Sequence, residues 1–515
     1  MGVRSRWRSP CPAFIDSTRL LLPAPLVEYP PGKKGTHTVK SVLPGLLLLC
    51  FIVMPRPTSA QPSRSTPPSR SATASSSDAG SSLFLGGVPS GPANAETLSL
   101  SIADAVARAL QHNLGVLAAG DRLGRARGTQ LKAASEFWPN LSGRITETRQ
   151  QVNLAAFGFP LPAGFPSIVG PFNVFDARLF LSQTVFDSQA SEDARAERHN
   201  VAAAEYSYKS ARDLVVLVAA NSYLQALAAS SRAESSRVQV QTAEAIYAQA
   251  GTLKANGLIA GIDVLRAEVQ LNTERQRATA ARNDFEKAKL QLARLIGLPL
   301  GQAFTLSDEL PYVPVPELTL EEALDRAYKT RPDYQAAAER IRAAEAVRAA
   351  IADERLPSVR LNADFGDIGL SLPNSHSTFS VAGVVQVPIF HGDISGRLTE
   401  ADADLRSRRA EADDLKAGIY YDVRTAFLDL QATREQLDVA LKVRDLAAQQ
   451  LVQARDRFAA GITSNIEVVQ AQEAVALASE QQIAALYGYN LAKGLLARGM
   501  GAAEEGLRQF LEGTR

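Results

Sequence analysis

The chain has 515 residues and a formal net charge of +1, with 55 basic against 54 acidic side chains. The length allows more than one ordinary domain, and the near-neutrality excludes a nucleic-acid binder that would show a basic stripe. With 46% hydrophobic residues the chain is not disordered throughout, and its wealth of Ala, flanked by Leu, Arg, Glu and Gln, is the composition of long helices.

Residues 1–60 read as a signal segment. Lys33, Lys34 and Lys40 precede the apolar run Val42 to Met54, and Pro-Thr-Ser-Ala follows, with Ala60 as the cleavage residue. The run is short for a membrane span of ~20 residues. The stretch before Val42 is long for a signal, so a translation start near Val39 is expected. Cys11 and Cys50 are the only cysteines, so the processed chain is expected to hold no thiol, disulfide or Cys-based metal site. Cys50 does not read as a lipidation site, because bulky Leu49 stands where a small residue is needed. Residues 61–96 are Ser-, Pro- and Ala-rich and read as a flexible segment. No later stretch is apolar for long enough to cross a membrane as a helix, so a membrane-spanning part would have to be made of strands.

One unit then occurs twice, over 97–299 and 318–503, with a linker at 300–317 (Pro311, Pro314, Pro316) and a tail at 504–515. Ala105-Val-Ala-Arg-Ala109 resembles Ala323-Leu-Asp-Arg-Ala327, and Trp138-Pro-Asn-Leu141 meets Leu356-Pro-Ser-Val359, both at an offset of 218. Thr184-Val-Phe186 meets Pro388-Ile-Phe390, Gly257 meets Gly461, and Ile262-Asp-Val-Leu265 meets Ile466-Glu-Val-Val469, all at 204. The first copy is therefore longer by one loop, located between Leu141 and Thr184.

In each copy a helix is expected after Ser99 or Thr319, capped by those residue types and stopped before Pro139 or Pro357. Strands are expected at about 139–152 and 174–187, and again at about 358–367 and 376–390. A long helix follows from Ser188 to Asn256 and from Gly392 to Ala460, then a Gly-containing turn, then a shorter helix to Gly297 or Met500. At 1.5 Å per residue the long helix spans ~104 Å, and the two shorter helices of the first copy, placed end to end, reach ~111 Å. Two short rods then match one long rod. Leu214, Leu217, Val218, Asn221, Leu224 and Leu227 fall at helical spacing, as do Leu430, Leu437, Leu441, Ala448, Leu451 and Phe458.

The strands alternate. Phe175, Ala177, Leu179, Leu181 and Val185 share one face, opposite Asp176, Arg178, Ser182 and Thr184; Phe379, Val381, Gly383, Val385 and Val387 repeat the pattern. A barrel between lipid and a wet lumen needs this pattern. Four strands per chain cannot enclose a lumen, whereas three chains supply about twelve. The expected fold is mainly α with a small β part: a long α-helical barrel joined to a twelve-stranded transmembrane β-barrel formed by a trimer. The uncharged loop from Phe157 to Asn173 is expected at the surface.

Catalysis finds no residues to carry it. His37, His112, His199, His376 and His391 are scattered, with His112 read as a surface helix residue and His391 as a strand-end residue, and no phosphate loop, nucleophile elbow or HExxH is present. No enzyme activity, cofactor or metal is expected.

These parts resemble the TolC family of outer-membrane efflux proteins over residues 97–503. The specific marks are the tandem units, the Pro-[Ile/Val]-Phe-like strand ends, and the turns Gly257-Leu-Ile-Ala-Gly-Ile-Asp263-Val and Gly461-Ile-Thr-Ser-Asn-Ile-Glu467-Val. The resemblance implies a homotrimeric exit duct in the outer membrane of a Gram-negative bacterium, with a helical tunnel in the periplasm. It would conduct substrates passively from a periplasmic adaptor and an inner-membrane transporter, in a tripartite efflux or type I secretion system. By motif position, Gly257, Leu258, Ile259, Gly261, Gly461, Ile462, Thr463 and Ser464 would contact the adaptor. Asp263, Glu467 and Gln470 map to an acidic gate that selects cations. Gln470 departs from that pattern because it is neutral, and Thr463 stands where a basic gate residue often sits. The competing role for Asp263 and Glu467 is stabilisation of a helix N-terminus. The rival proteins are a periplasmic adaptor, which would carry one hairpin flanked by split β-domains, and a structural trimeric coiled coil, which does not account for the strands.

Overall fold

The computed structural model describes residues 84–158, 164, 166–314 and 318–507. The expected signal at 1–60, residues 61–83, linker residues 315–317 and the tail from 508 lie outside the described residues. The first unit runs β1 (Leu98–Leu100), α1 (Ile102–His112), α2 (Leu114–Ala134), β2 (Asn140–Asn153), β3 (Ile168–Phe186), α3 (Ser188–Ala255) and α4 (Gly261–Leu295). The second runs β4 (Phe304–Leu306), α5 (Leu320–Thr330), α6 (Pro332–Asp353), β5 (Ser358–Gly369), β6 (Ser375–Gln386), α7 (Ile394–Ala459) and α8 (Asn465–Gly499), followed by a short α9 (Ala503–Leu507).

Several elements differ from their sequence reading. The helix expected from Leu100 to Phe137 is two helices, because Asn113 leaves the helical region at ψ 131° and caps α2 through its own side chain. In the second unit the same break falls at Arg331, where Pro332 opens α6. The cap of α1 is Ser101, which exchanges hydrogen bonds with Asp104 in a capping box; Ser99 lies in β1. Thr319 does cap α5, with Glu322. Strand β3 starts at Ile168, inside the stretch read as a loop, and β6 stops at Gln386, short of Phe390. Part of the linker forms β4, which pairs in parallel with β1. Residues 84–96, read as flexible, are held in place: Val88 N donates to the His112 carbonyl at 2.8 Å and Gln302 Nε2 to the Glu96 carbonyl at 2.8 Å. His112, read as a surface residue, is a half-buried helix end, with Ser90 Oγ 3.2 Å from its Nε2.

The long helices are the frame. Helix α3 has 68 residues, about 100 Å; it packs against α2 and α6 along its first part and α4 along its return. Helix α7, with 66 residues, packs likewise against α6 and α8. One window of α3 has a mean hydropathy of 1.5, enough for a membrane span and contrary to the sequence expectation, yet 61% of it is buried inside the chain. Its apolarity is spent on neighbouring helices.

The two apolar cores use the same repeat positions. Ala105, Ala109, Val215, Ala219, Leu292 and Ile296 build one core, and Ala323, Ala327, Ile419, Val423, Leu496 and Met500 build the other. Tyr223, fully buried in the first core, donates to the Leu100 carbonyl at 2.8 Å. Helix α8 straps the linker down: Asn490 Nδ2 donates to the Pro311 carbonyl at 2.8 Å and Lys493 Nζ to the Val313 carbonyl at 3.0 Å. Burial pushes the Lys493 ammonium down to about 8.

The four long strands form one antiparallel sheet in the order β2-β3-β5-β6. One face is apolar. On the other, the Arg178 guanidinium reaches Asp176 at 2.5 Å and, across to β5, Asp364 at 3.1 Å. Strands β2 and β6 are the edges, and neither has a partner on its outer side among the described residues.

Asn113 joins the kink to the N-terminal segment, since its Oδ1 accepts from Gly115 N at 2.8 Å and its Nδ2 donates to the Phe84 carbonyl at 2.9 Å. Asn113→Ala is expected to cost about 1–2 kcal/mol and to open residues 84–96 to limited proteolysis. An unchanged cleavage pattern would show that the segment is held without it.

Candidate functional site

The site lies at the far end of the helices from the sheet, where α3 turns into α4 and α7 into α8. Both turns close in the same way. Gly257 N bonds the Lys254 carbonyl at 2.9 Å and Leu258 N the Leu253 carbonyl at 2.9 Å; Gly461 N bonds the Phe458 carbonyl at 3.0 Å and Ile462 N the Arg457 carbonyl at 2.9 Å. This is the Schellman closure, which needs a left-handed residue just past the helix. Gly257 at φ +72° and Gly461 at φ +69° supply it, where a side chain would be strained. The residue after each glycine is pushed out into solvent: Leu258 is 69% exposed and Ile462 70%. Ile259 turns back and packs with Ile246, Phe458, Val468 and Ala471 in a small core that joins the two hairpins.

Asp263 and Glu467 both lie in the first turn of their helices, where the dipole favours a negative charge. Neither helix has a side-chain cap bond. The carboxylates bond instead to neighbouring side chains. Asp263 pairs with Arg266 at 3.1 Å, and Glu467 accepts from Thr463 Oγ1 and pairs with Arg457 at 2.9 Å. Thr463 therefore holds Glu467 as a hydroxyl donor.

A polar link between the hairpins is made by Asn465, which lies inside the tip turn and to which the sequence reading assigned no linking role. Asn465 is fully buried, and its Nδ2 donates to the main-chain carbonyl of Asp263 at 3.0 Å. Its Oδ1 is buried with no partner among the described residues. An Asn next to the helix-starting Ser464 was visible, but its target is a carbonyl that every residue carries.

Gln470 stands apart from both carboxylates' bonds. It lines an apolar groove of about 350 Å³ between α4 and α8, with Ile262, Leu265, Val269, Ile466 and Val469. Gly261 and Ser464 mark the two helix starts and are exposed. The structure thus brings Asp263 to Asn465, and Glu467 to Thr463 and Arg457.

Asn465→Ala is expected to remove about 1 kcal/mol from the hairpin contact. Amide exchange over 258–265 and 461–468 should then rise several-fold at unchanged helix content. Exchange equal to the parent's would mean that this bond does not hold the tips together.

A family model described as outer membrane efflux protein matches residues 105–298 and 323–502. The chain is similar to the CmeC outer membrane channel of Campylobacter jejuni, with a TM-score of 0.67, 17% identity, and 80% of this chain and 87% of that one covered. It is similar to the outer membrane protein VceC of Vibrio cholerae at a TM-score of 0.64, 20% identity, and 78% and 96% coverage. It is also similar to the open state of the MtrE outer membrane channel of Neisseria gonorrhoeae, at a TM-score of 0.65, 17% identity, and 78% and 89% coverage. No curated protein sequence matches the chain.

Proposed function

This chain belongs to the outer membrane efflux protein family, and from that premise we propose that three copies close into one exit duct that passes cargo without chemistry. The chain is an outer-membrane efflux channel with its helices forming a tunnel on the periplasmic side; the adaptor and coiled-coil readings are not favoured by the family match. The observation that carries the trimer is the sheet. Its four strands have one apolar face and two open edges, β2 and β6, and open edges are not tolerated in hydrocarbon. Closing edge to edge in threes gives twelve strands with the polar face, including Arg178, Asp176 and Asp364, on a wet lumen.

At the other end, the exposed Leu258 and Ile462, with the turn residues around them, suit contact with a periplasmic adaptor that connects to an inner-membrane transporter. Three copies each of Asp263 and Glu467 around a narrow opening would favour cations. Their arginine partners reduce that field, and neutral Gln470 adds nothing to it.

Two measurements test this reading. The protein should require detergent for extraction and then have the mass of three copies; recovery in the soluble periplasmic fraction would eliminate the duct. In lipid bilayers, Glu467→Gln should lower the preference of the channel for potassium over chloride. Unchanged selectivity would return Glu467 to its local role of tying Thr463 to Arg457.

A further inference from the structure

The internal repeat dictates how the sheet edges meet. Positions in β2 and β5 correspond at an offset of 218, and positions in β3 and β6 at 204. Transferring a strand pairing from one unit to the other by these offsets can be checked inside the chain. The pair Asn140↔Ser182 of β2 and β3 becomes Ser358↔Gln386, which is a pair observed between β5 and β6.

The remaining pairing, β3 with β5, joins the end of the first unit's sheet to the start of the second's. Its image joins β6 to a β2, and within one chain β2 is at the opposite edge. That β2 must therefore come from another copy. We propose that β6 pairs with β2 of the neighbouring copy in the register that carries Ser182↔Asn362 into Gln386↔Arg144, so that Val385 faces Ile145 and Val384 faces Thr146. The proposal rests on the duct reading and adds its alignment.

Three features agree with it. The faces match: Val385 and Ile145, 64% and 77% exposed in the single chain, both lie on the apolar side, while Gln386 and Arg144 both lie on the polar side. A one-residue slip would put each against the wrong face. Second, β3 reaches Phe186, paired with Val359 past a bulge, whereas the equivalent end of β6 stops short at Gln386. Residues 387–390 have no strand partner among the described residues, and Ile389 and Phe390 are 98% and 86% exposed. The transferred register gives Phe390 a partner, Leu141. Third, Pro388 then falls at the image of Thr184, next to the bulge, where the missing N–H of proline is tolerated.

Disulfide trapping tests the register in full-length chain carrying Cys11→Ser and Cys50→Ser. One variant adds Val385→Cys with Ile145→Cys, a second Val384→Cys with Thr146→Cys, and a slipped control Gly383→Cys with Ile145→Cys. Directly opposed antiparallel residues alternate between Cα separations of about 4.5 and 5.5 Å, so at least one aligned pair is within disulfide reach. The slipped pair is at the diagonal distance of about 7–8 Å, beyond it. Oxidation of membranes with copper–phenanthroline should give a covalent three-copy species on denaturing gels for an aligned pair and none for the slipped pair. A detergent-extracted particle of three copies in which only the slipped pair crosslinks, or in which none does, overturns the register and leaves the duct standing. Absence of a three-copy particle overturns both.

Discussion

A backbone N–H or C=O in hydrocarbon has no water to bond, and this constraint shapes the chain more than any side chain does. Helices satisfy it internally; strands satisfy it only through neighbours. The four-stranded sheet meets it at β3 and β5, which are paired on both sides, and fails to meet it at β2 and β6. Such edges on a protein in water are an aggregation hazard that charge, proline or a bulge must blunt. Here β2 is 14 residues long and β6 is 12; β6 has no Asp, Glu, Lys or Arg, and β2 is interrupted by Arg144, Glu147 and Arg149 and by the register shift after Gln150. Long open edges beside a mostly apolar face are costs that a single copy does not offset, and the assembly proposed above would remove them.

The helical part solves a different problem with the same repeat. A wall of rods must be apolar on more than one side without bulky side chains that would hold the rods apart. Ala dominates the buried positions of α3, α6 and α7, because small side chains let helices approach closely and still exclude voids. The two copies diverge where their surroundings diverge. At the kink of the first unit, Asn113 is an uncharged cap over which the chain from Phe84 is laid, and Gly115 leaves room for the Phe84 ring. At the same repeat positions the second unit has Arg331 and Asp333, paired at 2.6 Å, with Asp422 at 3.1 Å from Arg331. One kink is bridged by a chain segment, and the other by a guanidinium between two carboxylates.

The repeat was legible in the sequence because its landmarks are prolines, glycines and aromatic strand ends, residues whose backbone or packing demands are local. Gly257 and Gly461 marked the turns correctly for that reason. The kinks escaped because helical periodicity continues across them: at Asn113 the Leu114 amide turns to the Gly86 carbonyl and the Gly115 amide to the Asn113 side chain, without interrupting the apolar spacing. Pro332 was a visible signal, and it is tolerated at the first position of a helix as readily as it ends one. The start of β3 at Ile168 escaped because Pro171 and Gly170 read as loop, while the ladder to β2 resumes there beyond a register shift at Gln150 and Val152. At the tips, position predicted the glycines, and chemistry specific to this chain set the rest: Thr463 and Arg457 on Glu467, Arg266 on Asp263.

Those local pairs bear on how the tips would be held in the assembly proposed here. Each carboxylate already has a cation within its own hairpin, at 3.1 Å for Asp263 and 2.9 Å for Glu467. Pairs whose arginine is this open to solvent contribute little and are screened by salt, so they make weak latches. At the tips, the contacts that cross from one hairpin to the other are of another sort: the apolar cluster of Ile246, Ile259, Phe458 and Val468, and the neutral bond from buried Asn465 to the Asp263 carbonyl, whereas the ion pair of Arg232 with Glu480 lies farther along the helices. Neither depends on net charge, and apolar burial strengthens where salt weakens ion pairs. The orphaned Oδ1 of Asn465 marks the weak point of that contact, since a buried acceptor without a donor gains a water as soon as the hairpins part. Separation of the tips would then cost apolar contact and one neutral hydrogen bond, offset in part by hydration of that oxygen, with the carboxylate pairs travelling intact on their own hairpins.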